Sequence, residues 1–452
     1  MSRRTPVLVG ALVAALALAL PAAGAKKPAT SAPAYTTYQQ SGMASDAGEP
    51  SVGVSWKTGA VFLQAGFETD KVTLNANGTS TWNDTAPFQT SVVSLDPIGF
   101  LDSATGRLFA SQLTLVGSAM AFSDNDGQTW QTSQGGGLPA GADHQSVGGG
   151  PYPAESSRRP LTSYPHAVYY CSQDVVTAFC ARSDTGGVTF GAGVPMYTLV
   201  ECGGLHGHVK VAPDGTVYVP NSDCNGTPAV AVSTDAGTTW SVRKVPGARG
   251  GEGDPSVGIG RDGTVYLSYS GSSGGAMVAV SRDRGKTWSA PVDIGARLGL
   301  VSTVFPLAVA GDGDRAAVTF LGTRTAGDSQ DPGFGKDKTA TRYVGAEYHL
   351  YIASTTDRGQ SWRTIDVSGK DPVQRGRVCM GGTGCTGGDR NLLDFMDVTV
   401  DRQGRVIVGW ADGCTGSCVT SDLVAANTHT AHGRVTRQRS GLPLFRNPPP
   451  LA

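Results

Sequence analysis

An eight-residue pattern, S-x-D-x-G-x-T-W, recurs along the chain and constrains its fold more than any other feature. It is complete at Ser233–Trp240 and Ser281–Trp288, and Thr355–Trp362 keeps it with Thr and Ser exchanged. Ser123–Trp130 has Asn at the Asp position, and Ser183–Phe190 has Thr there. Internal repeats of this kind predict an architecture assembled from similar units.

The residue types of the pattern predict a tight turn between two strands. Asp, Ser and Thr side chains accept hydrogen bonds from nearby backbone N–H groups, and Gly supplies a positive φ. The closing aromatic residue is expected to plug against a neighbouring unit. Alternating strands precede the three cleanest copies, so Asp235, Asp283 and Asp357 are predicted to have a structural role.

These turns resemble the Asp-box, or bacterial neuraminidase repeat, of the sialidase-like β-propellers. The resemblance implies an all-β propeller over most of the chain, with the boxes lying away from the active site. The catalytic features of that family are an arginine triad that binds a carboxylate, a Tyr nucleophile with a Glu partner, and an Asp acid/base, so the resemblance directs attention to residues of these types. The family's early Phe/Tyr-Arg-Ile-Pro motif is absent from this sequence.

A second pattern, an apolar strand, a polar turn with Gly and another strand, occurs seven times. The copies begin near residues 49, 97, 143, 205, 253, 304 and 394. Alternation and turn chemistry predict β-hairpins, and seven hairpins predict a seven-bladed β-propeller, with six blades as the alternative. Residues 35–41 are predicted to close the ring by joining the last blade. Trp82 and Val424–Ala426 are predicted to lie in blades 1 and 7.

The N-terminal segment predicts export. Arg3 and Arg4 precede the apolar run Val7–Leu20, and Ala23–Ala25 provides a small-residue cleavage site. This pattern predicts a signal peptide at 1–25, cleaved after Ala25, and a secreted, extracellular protein. The run is too short to span a bilayer. The remaining chain is predicted to comprise a flexible linker at 26–34, one propeller domain at 35–445 and a Pro-rich tail at 446–452.

Charge and cysteine content narrow the partners further. The chain has 36 basic and 37 acidic residues without a basic stripe, which argues against nucleic acid as a partner. Eight Cys in an exported chain predict disulfides. We separately expect the protein to be a monomer. Proximity in sequence predicts the pairs Cys171–Cys180, Cys202–Cys224, Cys379–Cys385 and Cys414–Cys418.

Alignment of the hairpins gives the candidate site. Glu49, His144, His206 and Asp254 occupy the equivalent position before the innermost strand, so they are predicted to ring the mouth of the central channel. Other polar residues are close in sequence: Asp143, His208, Glu252, Asp394 and Asp397. Long insertions at 323–346 and 370–392 are predicted to lie on the same face. Clustered acids and imidazoles in a concave place form an active-site hypothesis.

Several chemistries fit these residue types. Two carboxylates, such as Glu49 or Glu252 with Asp254, could supply general acid and base to a glycosidic bond. The sequence requires no cofactor, although His144, His206 and Asp254 could hold a divalent metal. The His pair could instead abstract a proton from a uronic acid, as in propeller-fold polysaccharide lyases. The polar residues could also simply line a water-filled channel.

The resemblance adds candidates for substrate binding. Arg249, Arg342 and Arg390 lie on the predicted loop face, and Tyr343 beside Arg342 is a candidate nucleophile. The function predicted from the sequence is a sialidase-like glycoside hydrolase acting on an extracellular oligosaccharide or polysaccharide. The alternatives are a non-catalytic propeller that binds carbohydrate or protein, and a polysaccharide lyase.

Overall fold

The computed structural model describes residues 1–2, 32–40, 46–91, 96–114, 117–136, 143–174 and 176–451. Nearly all of the predicted signal peptide, and most of the predicted linker, lies outside these residues. The described chain forms seven antiparallel sheets, six with four strands and one with five. Each sheet is one blade of a propeller, which confirms the predicted all-β fold and blade count.

The strands follow one another from the centre of each blade outward. Blades 1 to 3 contain Ser51–Val54, Val61–Ala65, Glu68–Leu74 and Ser80–Asp84; Pro97–Leu101, Leu108–Thr114, Gly117–Ser123 and Gln131–Thr132; and Asp143–Gly150, Ala167–Gln173, Thr177–Ser183 and Val194–Thr198. Blades 4 to 6 contain Lys210–Val211, Val217–Asn221, Ala229–Ser233 and Ser241–Lys244; Ser256–Ile259, Val265–Ser270, Ala276–Ser281 and Val292–Asp293; and Ser302–Ala310, Ala316–Thr323, Glu347–Thr355 and Arg363–Asp366, with Gln374–Arg375 beside the third strand. Blade 7 contains Asp397–Val400, Val406–Asp412, His432–Ser440 and Ala34–Gln39.

Helical segments in the described chain are short. One α-helical turn spans Ser417–Thr420, and 3-10 turns span Phe88–Thr90, Ala296–Leu298, Gly382–Gly384 and Val424–Ala426. None of these has the length and apolar character needed to cross a membrane.

The last blade takes its outer strand from the beginning of the chain. Ala34–Gln39 pairs antiparallel with His432–Ser440, as the sequence predicted. Trp82 lies in the outer strand of blade 1, also as predicted. The prediction for Val424–Ala426 was wrong, because these residues form a 3-10 turn and the outer place in blade 7 is filled by Ala34–Gln39.

The repeated turns are held by their Asp side chains. Asp235 Oδ1 accepts hydrogen bonds from the backbone N–H groups of Thr238 at 3.1 Å and Thr239 at 2.9 Å. Ser233 Oγ accepts from the backbone N–H of Gly237 at 2.8 Å, where φ is +74°. Asp283 and Asp357 make the equivalent bonds four residues ahead, at 2.8 and 2.9 Å.

The two imperfect copies make the same turn with other acceptors. In the blade 2 turn, Asn125 Oδ1 accepts from the backbone N–H of Thr129 at 2.9 Å. In the blade 3 turn, Thr185 Oγ1 accepts from that of Thr189 at 2.9 Å. The position therefore requires a short side chain with an oxygen acceptor, which explains why the repeat tolerates Asn and Thr there.

The hydrophobic core is divided among the blade interfaces. Seven buried clusters each draw most of their residues from two adjacent blades, including the pair formed by blades 7 and 1. The aromatic residues of the repeated turns belong to these contacts. Trp362 of blade 6 packs edge-on against Tyr266 of blade 5 at 6.3 Å, and Trp130 Nε1 of blade 2 donates to the Thr85 carbonyl of blade 1 at 2.7 Å.

Covalent links and the C-terminal segment complete the frame. All four predicted disulfides form, which fits a protein that folds in an oxidising, extracellular environment. The predicted tail packs onto the propeller at its start. Arg446 Nη1 lies 2.7 Å from Asp314 Oδ1, and the preceding Leu444 and Phe445 are buried.

A buried carboxylate anchors the insertion between the first two strands of blade 3. Asp102 Oδ2, in blade 2, lies 2.6 Å from both the Tyr164 hydroxyl and His166 Nδ1. Burial alone would raise the pKa of Asp102, but hydrogen bonds from these two residues and the charge of His166 outweigh burial and lower it. A carboxyl whose pKa falls on folding adds stability above its unfolded pKa of about 3.9, and loses it as pH falls through the folded value.

Asp102→Ala is therefore expected to lower the free energy of unfolding by about 3 kcal/mol at pH 7, because it leaves Tyr164 and His166 without their buried acceptor. The difference from the parent protein should shrink as the pH falls below about 4. Urea unfolding at several pH values measures both effects. Asp124→Ala is the control, because the Asp124 side chain is 49% exposed and Arg107 keeps its bond to the Gly186 carbonyl, so a loss of about 1 kcal/mol is expected.

Candidate active site

Six blades place a polar side chain at one end of the central channel. We call this group the mouth cluster; it consists of Glu49, Asp96, His144, His206, Asp254 and Asp394, together with Arg390. Glu49, His206 and Asp254 are at most 5% exposed. The alignment predicted four of the six positions, and the side chains of blades 2 and 7, Asp96 and Asp394, complete the ring.

Backbone strain aims several of these side chains. Glu49 and His144 are not glycines, yet they adopt φ of +54° and +53°. His144 lies within a shift of register between the first two strands of blade 3. An irregularity of this kind re-aims a side chain that regular pairing would direct into the sheet, and strained residues of this type cluster at functional sites.

His144 is the centre of the hydrogen-bond network. Its Nδ1 lies 2.8 Å from the carbonyl oxygen of His206, and its Nε2 lies 3.6 Å from Asp254 Oδ1. Its backbone N–H donates to Asp96 Oδ2 at 3.2 Å. Burial pulls the pKa of His144 down, but the surrounding carboxylates, Asp254 first, outweigh burial and raise it to about 9. The surrounding carboxylates therefore favour the imidazolium form of His144.

Asp254 has the properties of an acid that holds its proton near neutrality. Its side chain is 7% exposed. Burial raises its pKa to about 7, even though the charge of His144 opposes this shift. Within the described residues, its second oxygen, Oδ2, is buried without a hydrogen-bond partner. One oxygen thus faces His144, and the other is a buried polar atom that lacks a partner.

A second pair of carboxyl groups connects blades 1 and 7. Glu49 Oε1 accepts a hydrogen bond from the backbone N–H of Asp394 at 3.2 Å. Burial, followed by the charges of Asp96 and Asp394, raises the pKa of Glu49 well above its ordinary value. Arg390 forms a two-pronged ion pair with Asp394, in which Nη2 lies 2.6 Å from Oδ2. The mouth cluster therefore contains a carboxyl group whose burial favours the neutral form, Glu49, beside one that is paired with an arginine, Asp394.

Burial favours the neutral form of two further imidazoles near the mouth, His206 and His208. Burial, assisted by the charge of His144, lowers the pKa of His206 to about 3. Burial also lowers the pKa of His208 well below its ordinary value. The His208 ring meets Phe395 of blade 7 edge-on at 4.4 Å. Asp397 has a structural role, since its carboxylate accepts hydrogen bonds from the backbone N–H groups of Val52 and Val398 at 3.0 and 2.8 Å.

The insertions of blades 6 and 7 form one body beside the mouth cluster, which we call the cap (residues 323–346, 370–392 and 413–430). Gln330 joins the first two segments, because its Nε2 donates to the Val378 carbonyl at 2.7 Å and its Oε1 accepts from the Met380 N–H at 2.8 Å. A Cβ at Gly253 would lie 3.2 Å from Met380 Sδ, so the cap reaches the residue before Asp254.

The remaining sequence candidates are dispersed. Glu252 and Arg249 are exposed. Arg342 pairs with Asp422 at 2.6 Å within the cap, and both side chains are more than half exposed. Tyr343 is buried, its hydroxyl accepts from Asn427 at 2.9 Å, and burial raises its pKa. Of the four predicted substrate-binding residues, Arg390 is the one that the structure places in the mouth cluster.

Asp96 was missed by sequence reasoning, although a signal for it exists. Asp96-Pro97 repeats the acid-proline dipeptide of Glu49-Pro50 and Asp254-Pro255. All three dipeptides immediately precede or begin an innermost strand. Two residues are too short a pattern to identify the position from the sequence. The structure shows that the three acids occupy the same place in their blades.

The metal hypothesis gains no support from the geometry. The part of the chain that the structure describes contains no group of three or more His, Cys, Asp or Glu side chains placed to hold a metal ion. Nδ1 of His144 faces a carbonyl oxygen and Nε2 faces a carboxylate.

Comparisons with known proteins give distant structural likenesses only. No family model and no curated protein matches the chain. Among solved structures, a protein of unknown function from Dyadobacter fermentans aligns with a TM-score of 0.43 and 14% identity, over 90% of this chain and 98% of its own. Aleuria aurantia lectin aligns at 0.42 and 11%, over 71% and 96%. A mutant of Trypanosoma rangeli sialidase aligns at 0.40 and 14%, over 89% and 58%. Likeness at this level concerns the propeller fold alone.

Proposed function

We propose that this chain is an exported glycoside hydrolase whose general acid is Asp254. The observation that carries the proposal is a buried carboxyl group in the mouth cluster, with a pKa of about 7 and one oxygen that lacks a hydrogen-bond partner among the described residues. A general acid is most effective when its pKa lies near the working pH, because it is then protonated and still gives up its proton readily. Proton donation to a glycosidic oxygen is the chemistry that such a group performs in sugar hydrolysis.

Other members of the mouth cluster fit complementary roles. After Asp254 gives up its proton, the His144 imidazolium 3.6 Å away stabilises the new carboxylate. Asp394, held by Arg390, supplies a negative charge for the oxocarbenium-like transition state or for the attacking water. The candidates for sialidase-type chemistry other than Arg390 lie outside this arrangement, so the carboxyl groups carry the proposal and the sugar specificity follows from the experiment below.

A non-catalytic binding function is the second candidate. It is favoured by the depth of burial, because Glu49 and His206 are only 2% and 1% exposed. Residues this deep contribute to the shape and charge of the mouth, while a bound glycan contacts its rim. This candidate predicts binding that survives amide substitution of Asp254.

Incubation with a glycan panel in ¹⁸O-labelled water separates these functions. The panel contains sialylated, neutral and uronic-acid oligosaccharides, and mass spectrometry detects the products. Hydrolysis gives fragments that carry one labelled oxygen, and the released sugar identifies the specificity. Fragments with a new double bond and no label mean a lyase and overturn the hydrolase proposal. Binding without any product overturns it in favour of the second candidate.

A further inference from the structure

The opposite face of the propeller carries a groove that the mouth cluster does not use. It lies between the repeated turns of blades 3 and 4 and encloses about 480 Å³. This volume lies in the usual range for small-molecule sites. Its walls come from the blade 3 insertion and both turns: Arg158, Leu161, Arg182, Asp184, Phe190 and Thr238. We call it the turn groove.

The frame of the turn groove is firmly held. Tyr152 donates its hydroxyl to Asp184 Oδ1 at 3.0 Å, and the Leu161 N–H donates to the Asp184 carbonyl at 2.7 Å. The same Asp184 receives Arg182, whose Nε lies 2.8 Å from Oδ1. At the far end of the insertion, Tyr164 and His166 are fixed on Asp102. The groove is thus preformed, which reduces the entropy lost when a ligand binds.

The charge of the turn groove is unbalanced. Asp184 neutralises Arg182, and both side chains are less than 20% exposed. Arg158 is exposed, and the structure as described gives its guanidinium no hydrogen-bond acceptor. The neighbouring Arg159 differs, because its Nη1 folds back onto carbonyl groups of its own insertion. One uncompensated guanidinium therefore faces the groove, and such a group binds a carboxylate in two-pronged fashion.

The walls of the groove are mixed in character. Leu161 is 77% exposed and supplies an apolar wall with Val194 and the rim of Phe190. Thr185, Thr189 and Thr238 add hydroxyl groups to the lining. A pyranose has the same division, with C–H groups on its faces and hydroxyl groups around its edge. We propose that the turn groove is a second saccharide site that binds a sugar unit carrying a carboxylate.

This site is independent of the proposed hydrolysis, because it lies at the opposite face from Asp254. Saturation-transfer NMR with digalacturonate and its uncharged dimethyl ester tests this site. The same measurements are made on the Asp254→Asn variant, in which the mouth cluster is altered and the turn groove is not. We expect digalacturonate to bind the parent protein at least about fivefold more tightly than the ester, and Arg158→Gln to abolish that preference. Arg159→Gln should preserve the preference, and Leu161→Ala should weaken binding of both probes.

Three results would overturn the proposal. The first is an absence of digalacturonate binding up to about 10 mM. The second is equal affinity for acid and ester in the parent protein. The third is a preference that Asp254→Asn removes and Arg158→Gln leaves intact, because the ligand would then occupy the mouth cluster. The glycan panel is read separately, so loss of hydrolysis and loss of this site are distinguishable.

Discussion

Asp254→Asn is expected to lower kcat on the glycan identified by the panel by about a thousandfold, since an amide cannot donate the proton that the leaving oxygen needs. The fold should persist. The amide has the size and neutrality of the protonated carboxyl group that Asp254 presents below pH 7. Steady-state kinetics and thermal melting at pH 6 measure the two effects together. Retention of turnover within threefold would place the acid elsewhere.

The pH profile gives an independent reading of the same group. Because Asp254 acts in its protonated form, the rate should fall as the pH rises through about 7. Asp262→Asn is the matched control. Asp262 follows the same inner strand at its other end, where it pairs with Arg358 at 3.1 Å. This variant should keep the parent rate and the parent pH dependence.

Gly207→Ala is expected to damage stability and activity at once. A Cβ at Gly207 would lie 1.8 Å from the Pro255 carbonyl oxygen, a backbone atom that a rotamer change cannot move. Blade 4 must therefore shift from blade 5, which disturbs the contact of the His206 carbonyl with His144, the neighbour of Asp254. We expect a loss of about 3 kcal/mol in unfolding free energy and about a hundredfold in kcat, as overpacking and small misplacements of reacting groups produce.

Gly203→Ala controls for this substitution on the same approach to blade 4. Its nearest neighbour would be Asp223 Oδ2 at 3.7 Å, an ordinary contact, and its φ is outside the left-handed region. Chemical unfolding should show a change below about 0.5 kcal/mol, with full turnover. Equal behaviour of the two alanine variants would mean that the contact between Gly207 and Pro255 does not position the site.

Features set by short-range chemistry could be predicted from the sequence. The repeated turns follow from a side-chain acceptor at Asp235 and its equivalents, bonded within the same eight residues. The blade count followed from alternation and turn residues, and the disulfides joined Cys residues already close along the chain. Each of these features depends on neighbours in sequence, where residue type is most informative.

The arrangement of the site could be predicted only in part, because it depends on contacts between distant blades. Superposing the hairpins predicted His144 and Asp254 at the mouth. It did not predict the positive φ of His144, which a histidine gives no reason to expect. Nor could the sequence separate Arg390, bonded to Asp394, from Arg342, bonded to Asp422. Both arginines lie in loops on the same face, and tertiary contacts alone distinguish them.

The shared sheet of blade 7 imposes an order on folding. Its three inner strands lie within residues 397–440 and its outer strand is Ala34–Gln39, so this sheet is completed only when both ends of the chain are present. Until then, His432–Ser440 and Ala34–Gln39 each offer an unpaired edge to any other chain. A nascent or proteolytically shortened molecule is therefore more prone to aggregate. Pairing of Ala34–Gln39 with His432–Ser440 covers these edges and removes this tendency.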